Sequence, residues 1–421
     1  MIQRKRAFLI SGTNSIEAGH WNGFIVLQLF LEMAVLVLLL CCVGVQLSSA
    51  LGHHGTPQQC QHGLYPPNNS TSVDTFVINL DLPPSERWSE LTAAKKSEVV
   101  KIHSVLKNLL DSILGDSLLD LIDSKMPRLL NSLPSPFREE IAALSNSSGL
   151  PLGEVVLYNV FYEFFTVCTS IVAEDSNGKL YHARNLDFGL FLGWDSRNHT
   201  WAMTEALRPT IVNLDFQRSG QTVFKAAGFA GYVGILTALK PNAFSLTVNE
   251  RFRLDGGYIG IIEWLLGDHS EHWVGFFTRQ IMENITDYET AKRTIITTKL
   301  LSPAYFILGG NKSGEGVILT KDRSSQTSDV YGLQDTPDRW FVLETNYDHW
   351  KTPPSYDDRR NPGMNCMRNM SQQNLGFDGL FNVLSSQPVL NQLTTYTALM
   401  EVSTGKLETY IQDCRDPCPL F

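Results

Sequence analysis

The chain has 421 residues, 43% hydrophobic and 18% charged, enough apolar material for one large core or two domains. Its 34 Lys and Arg against 43 Asp and Glu leave a net charge of -9, which argues against a nucleic-acid partner because such a partner demands a basic face. The acidic residues are scattered along the chain, as on a solvated surface.

Residues 24–45 are almost wholly apolar, with Glu32 their lone charge, and Ser48-Ser49-Ala50 follows as a small-residue cleavage pattern. This reads as a secretory signal peptide. Met33 opens an ordinary signal, and the preceding segment with Arg4, Lys5 and Arg6 reads as an upstream-start extension. A retained signal anchor is the rival reading, since the run is long enough to span a bilayer. No later segment is long and apolar enough to do so. Residues 1–50 are therefore assigned to the extension and signal.

Residues 51–75 are polar and rich in Pro, Asn and Ser, an extended lead-in. From Ser97 the pattern turns helical: Val99, Ile102, Leu106, Leu109, Leu110 and Ile113 recur at three- and four-residue steps. Leu118, Leu119, Leu121 and Ile122 continue the apolar content until Pro127, Pro134 and Pro136 interrupt it. These helices either pack on a core or present a lipid-facing surface. Another helix is predicted over 153–165. Strands are predicted from Cys168 and at 210–216, 222–229, 234–238, 244–249, 304–308, 316–320, 340–347, 396–401 and 407–412, with helices at 257–266, 273–282 and 288–296. Helices grouped on one side of antiparallel strands indicate a layered α+β domain.

Two motifs are discounted. Gly309-Gly310-Asn311-Lys312-Ser313-Gly314-Glu315-Gly316 lacks the Gly-Lys-Ser/Thr ending of a phosphate loop and reads as a hairpin turn. His269 and His272 have a short spacing but no second ligand pair, so neither a metal nor a cofactor is expected.

Cleavage after Ala50 leaves Cys60, Cys168, Cys366, Cys414 and Cys418. In an oxidising compartment four can pair, and four cysteines allow three connectivities. Cys414 and Cys418 are close enough in sequence to bridge each other; Cys60 and Cys366 would then clamp the two ends of the chain, and Cys168 is the odd thiol. Sequons at Asn69, Asn146, Asn198, Asn284, Asn311 and Asn369, with Asn68 also fitting, agree with a secreted glycoprotein.

The chemistry centres on a hairpin. Cys168-Thr169-Ser170-Ile171-Val172-Ala173-Glu174-Asp175 and Tyr181-His182-Ala183-Arg184-Asn185-Leu186-Asp187-Phe188 flank Asn177-Gly178, a strong two-residue turn signal. Folding about that pair sets Cys168 opposite Asp187 and turns Arg184 to the other face, so that only a bulge or strong twist brings it to the thiol. A cysteine that opens a strand after a helical pre-segment suits an N-terminal nucleophile. Freed by cleavage before Cys168, its α-amine titrates near pH 7.7–8.0 and can serve as the general base for its own thiol.

The chain resembles the acid ceramidase family. The resemblance rests on Phe161-Tyr162-Glu163-Phe164-Phe165-Thr166-Val167-Cys168 and the strand after it, and on Arg184-Asn185-Leu186-Asp187-Phe188-Gly189 with Phe191-Leu192-Gly193-Trp194. It continues through Asn213-Leu214-Asp215-Phe216-Gln217-Arg218, Gly228-Phe229-Ala230-Gly231-Tyr232-Val233-Gly234 and Asn249-Glu250-Arg251-Phe252. Ala304-Tyr305-Phe306-Ile307-Leu308-Gly309-Gly310, Thr345-Asn346-Tyr347-Asp348 and Asp357-Asp358-Arg359-Arg360 complete it. The blocks span most of the chain from Cys60 to Cys418.

The resemblance implies the αββα four-layer sandwich of N-terminal-nucleophile hydrolases, in the branch shared with bile-salt hydrolases and penicillin V acylases. It implies self-cleavage between Val167 and Cys168 into a helical α subunit, 51–167, and a catalytic β subunit, 168–421, with Cys60 and Cys366 joining the two. It makes Cys168 the nucleophile, Asp187 the partner of the new amine, and Arg184 the neighbour of the thiolate, countered by Glu250. Asn346 becomes an oxyanion donor and Arg359 a site-shaping cation. Taken alone, Arg359-Arg360 reads as a surface basic pair, Asn346 as a turn residue and Glu250-Arg251 as an exposed ion pair of little weight.

The expected activity is hydrolysis of ceramide or a related N-acyl lipid in the lysosome, reached through the secretory pathway. Expected partners are an anionic membrane surface and a saposin-type lipid-presenting activator. Segment 99–122 and the cleft near Phe188–Trp194 are the expected lipid contacts. Two other readings stay open: a sister acid amidase acting on N-acylethanolamines, and a non-catalytic lipid-binding glycoprotein of the same fold. Loss of Cys168, Arg184 or Asp187 would favour the last, and all three are present.

Overall fold

A register set by one turn controls where the central strands aim their side chains. In the computed structural model, residues 60–67, 73–114, 129–161, 166–188, 193–195, 197–253, 257–414 and 418–419 are described. The signal-peptide reading, Asn68, Asn69 and the apolar residues 118–122 lie outside them. The described residues belong to a compact unit of residues 54–421.

In chain order the strand β1 (Thr75–Asn79) precedes the helices α1 (Ser89–Ala94), α2 (Lys96–Leu114), α3 (Phe137–Ser148) and α4 (Leu152–Phe161). The hairpin β2 (Thr166–Glu174) and β3 (Leu180–Phe188) follows, then a short pair, β4 (Trp194–Asp195) and β5 (Thr200–Trp201), and α5 (Ala202–Leu207). Next come β6 (Ile211–Arg218), β7 (Gln221–Phe229), β8 (Thr237–Lys240) and β9 (Phe244–Glu250), with α6 (Gly257–Leu265), α7 (Val274–Asn284) and α8 (Tyr288–Thr297) after them. The remainder is β10 (Ala304–Gly309), β11 (Gly316–Lys321), β12 (Asp329–Gly332), β13 (Phe341–Glu344), α9 (Arg360–Met370), α10 (Phe377–Leu384), β14 (Thr394–Glu401) and β15 (Lys406–Ile411). The glycine-rich run after β10 is the turn of an antiparallel hairpin.

Two large sheets form, ordered β1-β6-β7-β8-β9-β10-β11-β12 and β13-β2-β3-β14-β15. Val172 and Val342 of the second meet Tyr305, Ile307 and Ile318 of the first in a dry layer between them. On the outer face of the second sheet, Ile171, Ala183, Leu343 and Leu399 pack on Met367, Leu380 and Leu384 of α9 and α10. Against the first sheet, Phe277 and Ile281 of α7 and Ala291 and Ile295 of α8 close the other side. The result is a four-layer αββα sandwich. The expectation of helices on one side of the strands is corrected by α9 and α10. Pro362, Gly363 and a polar sequence hid α9; proline is tolerated there because it sits in the first turn, where no intrahelical N–H is lost.

Segment 99–122 is corrected in its described part. Val99, Ile102, Leu106 and Leu109 are buried in the main core, so this stripe faces protein rather than lipid. A Cβ at Gly231 would meet Tyr158 of α4 at 3.3 Å and Val99 at 3.4 Å, and the φ of +88° there favours glycine. The segments before and after residue 167 are also tied by charge. Glu140 of α3 is fully buried and accepts from Arg279 Nη2 at 2.8 Å, Trp88 Nε1 at 2.7 Å and Arg87 Nη1 at 3.1 Å. Removing one partner of such a buried pair costs roughly 3–5 kcal/mol.

Disulfides join Cys60 to Cys366 and Cys414 to Cys418, while Cys168 is free and buried. The sequon residues Asn146, Asn198, Asn284, Asn311 and Asn369 are all exposed. Among the described residues no helix is long and apolar enough to cross a membrane.

Candidate active site

The hairpin register differs by one residue from the two-residue turn. Cys168 pairs with Leu186, Val167 with Asp187 and Ser170 with Arg184. The cause is Asp175. Its Oδ1 accepts from the N–H groups of Asn177 at 2.8 Å and Lys179 at 2.9 Å, and the Asp175 N–H donates to Lys179 O. The loop gains a residue and closes with Gly178 at φ +81°. Because side chains alternate with period two, this slip exchanges the faces of the whole strand. Cys168, Ser170, Arg184 and Leu186 share the face turned toward the first sheet, and Asp187 lies on the other.

Arg184, not Asp187, therefore meets the thiol. Its Nη2 donates to Cys168 Sγ without any bulge. Its Nη1 crosses to the first sheet, donating to Leu236 O at 2.9 Å and Thr237 Oγ1 at 3.0 Å. Glu250 ends β9 on the opposite sheet, and its Oε2 accepts from the Thr166 N–H at 3.1 Å.

Burial pushes the Cys168 thiol from 9.0 up to about 11, with Asp187 adding to the rise and Arg184 and Arg359 opposing it. Burial likewise pushes Asp187 up to about 6, against the pull of Arg359 and of the neighbouring Thr394 and Asn391. Asp187 Oδ2 accepts from Asn391 Nδ2 at 3.1 Å and Arg359 Nη1 at 3.5 Å, and its Oδ1 has no hydrogen-bond partner.

Asn346 and Arg359 converge on the backbone of Cys168. The Cys168 N–H donates to Asn346 Oδ1 at 2.9 Å, and Arg359 Nη1 donates to Cys168 O at 2.5 Å. Arg359 Nη2 also donates to Asn346 Oδ1 at 2.8 Å. Asn346 Nδ2 donates to Glu250 O at 2.8 Å and Thr166 O at 3.2 Å. The strand predicted over 340–347 stops at Glu344, and that early end lets Thr345-Asn346 leave the sheet and turn into the site. Asn346 and Arg359 are nearly or fully buried, and Arg360 and Arg251 are buried too, so none of them behaves as a surface or exposed-pair residue.

Two supporting residues escaped the sequence reading. Asp357 holds Arg359 through Nε at 2.6 Å and Nη2 at 3.0 Å; its place in the Asp357-Asp358-Arg359-Arg360 block was a usable signal. Asn391, which fixes Asp187, had none, since it lies in a loop about two hundred residues further along the chain. His269 Nε2 donates to Trp264 O, and among the described residues no cluster of three or more His, Cys, Asp or Glu could hold a metal.

Glu344 is a buried carboxyl beside this site. Its Oε1 accepts from the Thr345 N–H at 2.9 Å, its Oε2 has no partner, and Arg360 Nη2 stands 3.9 Å away. Burial pushes it up to about 8 from 4.5, against the pull of Arg360. A carboxyl raised in the folded state contributes stability that is complete below about pH 4.5 and is lost as pH rises through about 8. Glu344→Gln is thus expected to gain Tm relative to the parent between those limits, by roughly 2–5 °C, with little difference at pH 4. Parallel melting curves for the two proteins across this range would reject a protonated Glu344.

The arrangement is a buried thiol with a guanidinium on its sulfur, a carboxyl on the other strand face, and a second guanidinium and an amide on the backbone at the same residue. It can support nucleophilic attack on a carbonyl, with charge stabilisation of an oxyanion.

Comparison with known proteins gives a consistent picture. The family model of linear amide C–N hydrolases, choloylglycine hydrolase family, matches residues 168–361. The model of the beta subunit of N-acylethanolamine-hydrolyzing acid amidase matches residues 71–133. The chain is 50% identical over 385 residues to acid ceramidase of Homo sapiens, covering 90% of this chain and 97% of that protein. It is 48% identical over 365 residues to acid ceramidase of Mus musculus, covering 86% and 92%. Among solved structures it is similar to a Caenorhabditis elegans N-acylethanolamine-hydrolyzing acid amidase (NAAA) ortholog, with 33% sequence identity, a TM-score of 0.49, and coverage of 58% of this chain and 100% of that one.

Proposed function

The chain belongs to the acid ceramidase family, and on that premise we propose that it hydrolyses ceramide to sphingosine and a free fatty acid through Cys168, after cutting itself between Val167 and Cys168. The observation that carries the site assignment is the Arg184 guanidinium donating to the one free thiol among the described residues.

Two steps share one nucleophile. In the precursor, Sγ attacks the Val167 carbonyl carbon, the peptide nitrogen takes up a proton, and water hydrolyses the thioester. This leaves residues 51–167 and 168–421 as two pieces of one enzyme, with the Cys60–Cys366 disulfide between them. In turnover, the freed α-amine takes the thiol proton and the thiolate attacks the ceramide amide carbon. The amine then returns the proton to the leaving sphingosine nitrogen, and water cleaves the thioester to release the fatty acid. Asn346 is the proposed oxyanion donor; one such donor is worth roughly 2.7–4 kcal/mol.

A two-chain lipid does not leave a membrane readily, because each buried CH₂ is worth about 0.8 kcal/mol. The enzyme therefore meets its substrate at an interface. The proposed setting is the lysosome, reached by secretion, with an anionic membrane surface and a saposin-type lipid-presenting partner. An acidic lumen protonates surface carboxylates and weakens repulsion from anionic lipid.

The sister activity, on N-acylethanolamines, is the second reading, favoured by the amidase family match over residues 71–133. A comparison of ceramide with an N-acylethanolamine of the same acyl chain, in mildly acidic anionic vesicles, decides between them. Processed enzyme is expected to favour ceramide in kcat/KM, and more so with the lipid-presenting partner. A much higher kcat/KM on the ethanolamide under every lipid condition would overturn the ceramidase assignment.

A further inference from the structure

A hydrogen-bonded circuit runs from the Cys168 thiol to Tyr396, and two of its members have no role in the chemistry above. Arg184 begins on β3, touches Cys168 Sγ of β2, and reaches across the sandwich to Thr237 Oγ1 at the start of β8. Thr237 Oγ1 lies 2.8 Å from the Tyr396 hydroxyl of β14. In the sheet Tyr396 is the register partner of Leu186, and Leu186 that of Cys168, so the two ends of the circuit stand on one rung. Cys168, Arg184, Thr237 and Tyr396 are all fully buried.

The chemistry of the groups gives the circuit a direction. A guanidinium only donates, so Thr237 Oγ1 must accept from Arg184. Thr237 accepts well only in the rotamer that aims Oγ1 at Arg184, and the Tyr396 hydroxyl is a contact that holds that rotamer. The tyrosine ring is fixed in turn against Phe229, with centroids 5.8 Å apart. We propose that Thr237 and Tyr396 are positioning residues that hold the Arg184 guanidinium on the Cys168 sulfur and thereby set how readily the thiol ionises.

The charged and titratable groups that act electrostatically on the thiol are Arg184 on its own face, Asp187 and Arg359 from the other face of the strand, and Tyr396 of β14. The Glu250 carboxylate accepts from the Thr166 N–H, and Asp357 accepts from Arg359. Burial pushes the Tyr396 phenol up to about 12, so it remains neutral and acts as a hydroxyl dipole. Of these groups, Arg184 is the cation that touches the sulfur, and its Nη1 is held by Leu236 O and Thr237 Oγ1. A backbone carbonyl cannot be deleted by substitution, but the threonine hydroxyl can.

The inference rests on Cys168 as the nucleophile, and its test reads the thiol without needing the substrate. In self-processed protein, the rate of Cys168 alkylation by iodoacetamide is measured against pH for the parent, T237V, T237S and Y396F. Alongside, kcat and KM are measured on an N-acyl amide. T237V is expected to raise the alkylation midpoint by about 0.5–1 pH unit and lower kcat about 3–10-fold with KM unchanged. Y396F is expected to move both in the same direction by a smaller amount, and T237S to restore most of the loss.

Y396F removes a single oxygen and leaves the ring packing intact, so it keeps the question answerable if T237V fails to process. Midpoints equal to the parent in T237V and Y396F would overturn the proposal, even if kcat fell, because the loss would then be structural. If alkylated Cys168 left turnover intact, the nucleophile assignment itself would fail, whatever the midpoints.

Discussion

Cys168→Ala is expected to leave the chain uncut at the Val167–Cys168 bond and to abolish amide hydrolysis. Both effects follow from one atom. Cys168 is the one free cysteine among the described residues, and its sulfur is met by the Arg184 guanidinium. The substitution is small and apolar in a fully buried position, so the fold should survive. The deleted sulfur leaves a modest cavity, and Arg184 retains Leu236 O and Thr237 Oγ1 as acceptors. The activity loss should reach the background rate, because the covalent route disappears with its nucleophile. The measurement is the mass of the purified, protease-free protein after reduction, together with ceramide turnover. Protein still split before residue 168 would mean that another protease makes the cut.

Asp187→Asn is expected to keep folding and lose turnover by roughly 10²–10⁴-fold, the range of a lost acid–base contribution. The amide can still accept from Asn391, and Arg359 keeps both of its bonds to Asp357. What is lost is the Asp187 negative charge, which acts on the group at Cys168. The stability effect has a definite sign. Asp187 is raised from 3.8 to about 6 by burial, so its contribution is complete below about pH 3.8 and lost as pH rises through about 6. The variant should therefore be at least as stable as the parent at pH 7, while turnover collapses. A secreted, processed Asp187→Asn protein with full activity would reject the role of this carboxylate.

Much of the layout was legible because it is local. The apolar steps of 99–109 marked a helix, the alternating runs marked the strands from 210 to 250, and the odd cysteine singled out Cys168. A short polar helix carrying Pro362 and Gly363 was not legible, since its stability comes from packing Met367 and Cys366 against Ile171 and Leu343 rather than from propensity. The lipid-facing option for Val99, Ile102 and Leu106 failed for a similar reason. An amphipathic stripe states that one face wants cover, not what covers it.

The sequence by itself singled out the candidate groups: a thiol, two guanidiniums, a carboxyl and an amide, each identifiable by type and by the blocks around it. Tertiary structure decided which of them touch. Asp175 accepted two turn N–H groups, lengthened one loop by a residue, and so exchanged Asp187 for Arg184 at the sulfur. Thr237, Asn346, Asp357, Arg359, Asn391 and Tyr396 reach the site from loops and strands far along the chain, and two stacked sheets bring them within hydrogen-bond reach. Alternation along a strand is a short-range rule with a period of two, whereas its phase depends on how a turn closes. Contacts across a sandwich have no sequence period at all, and only the packing of the layers specifies them.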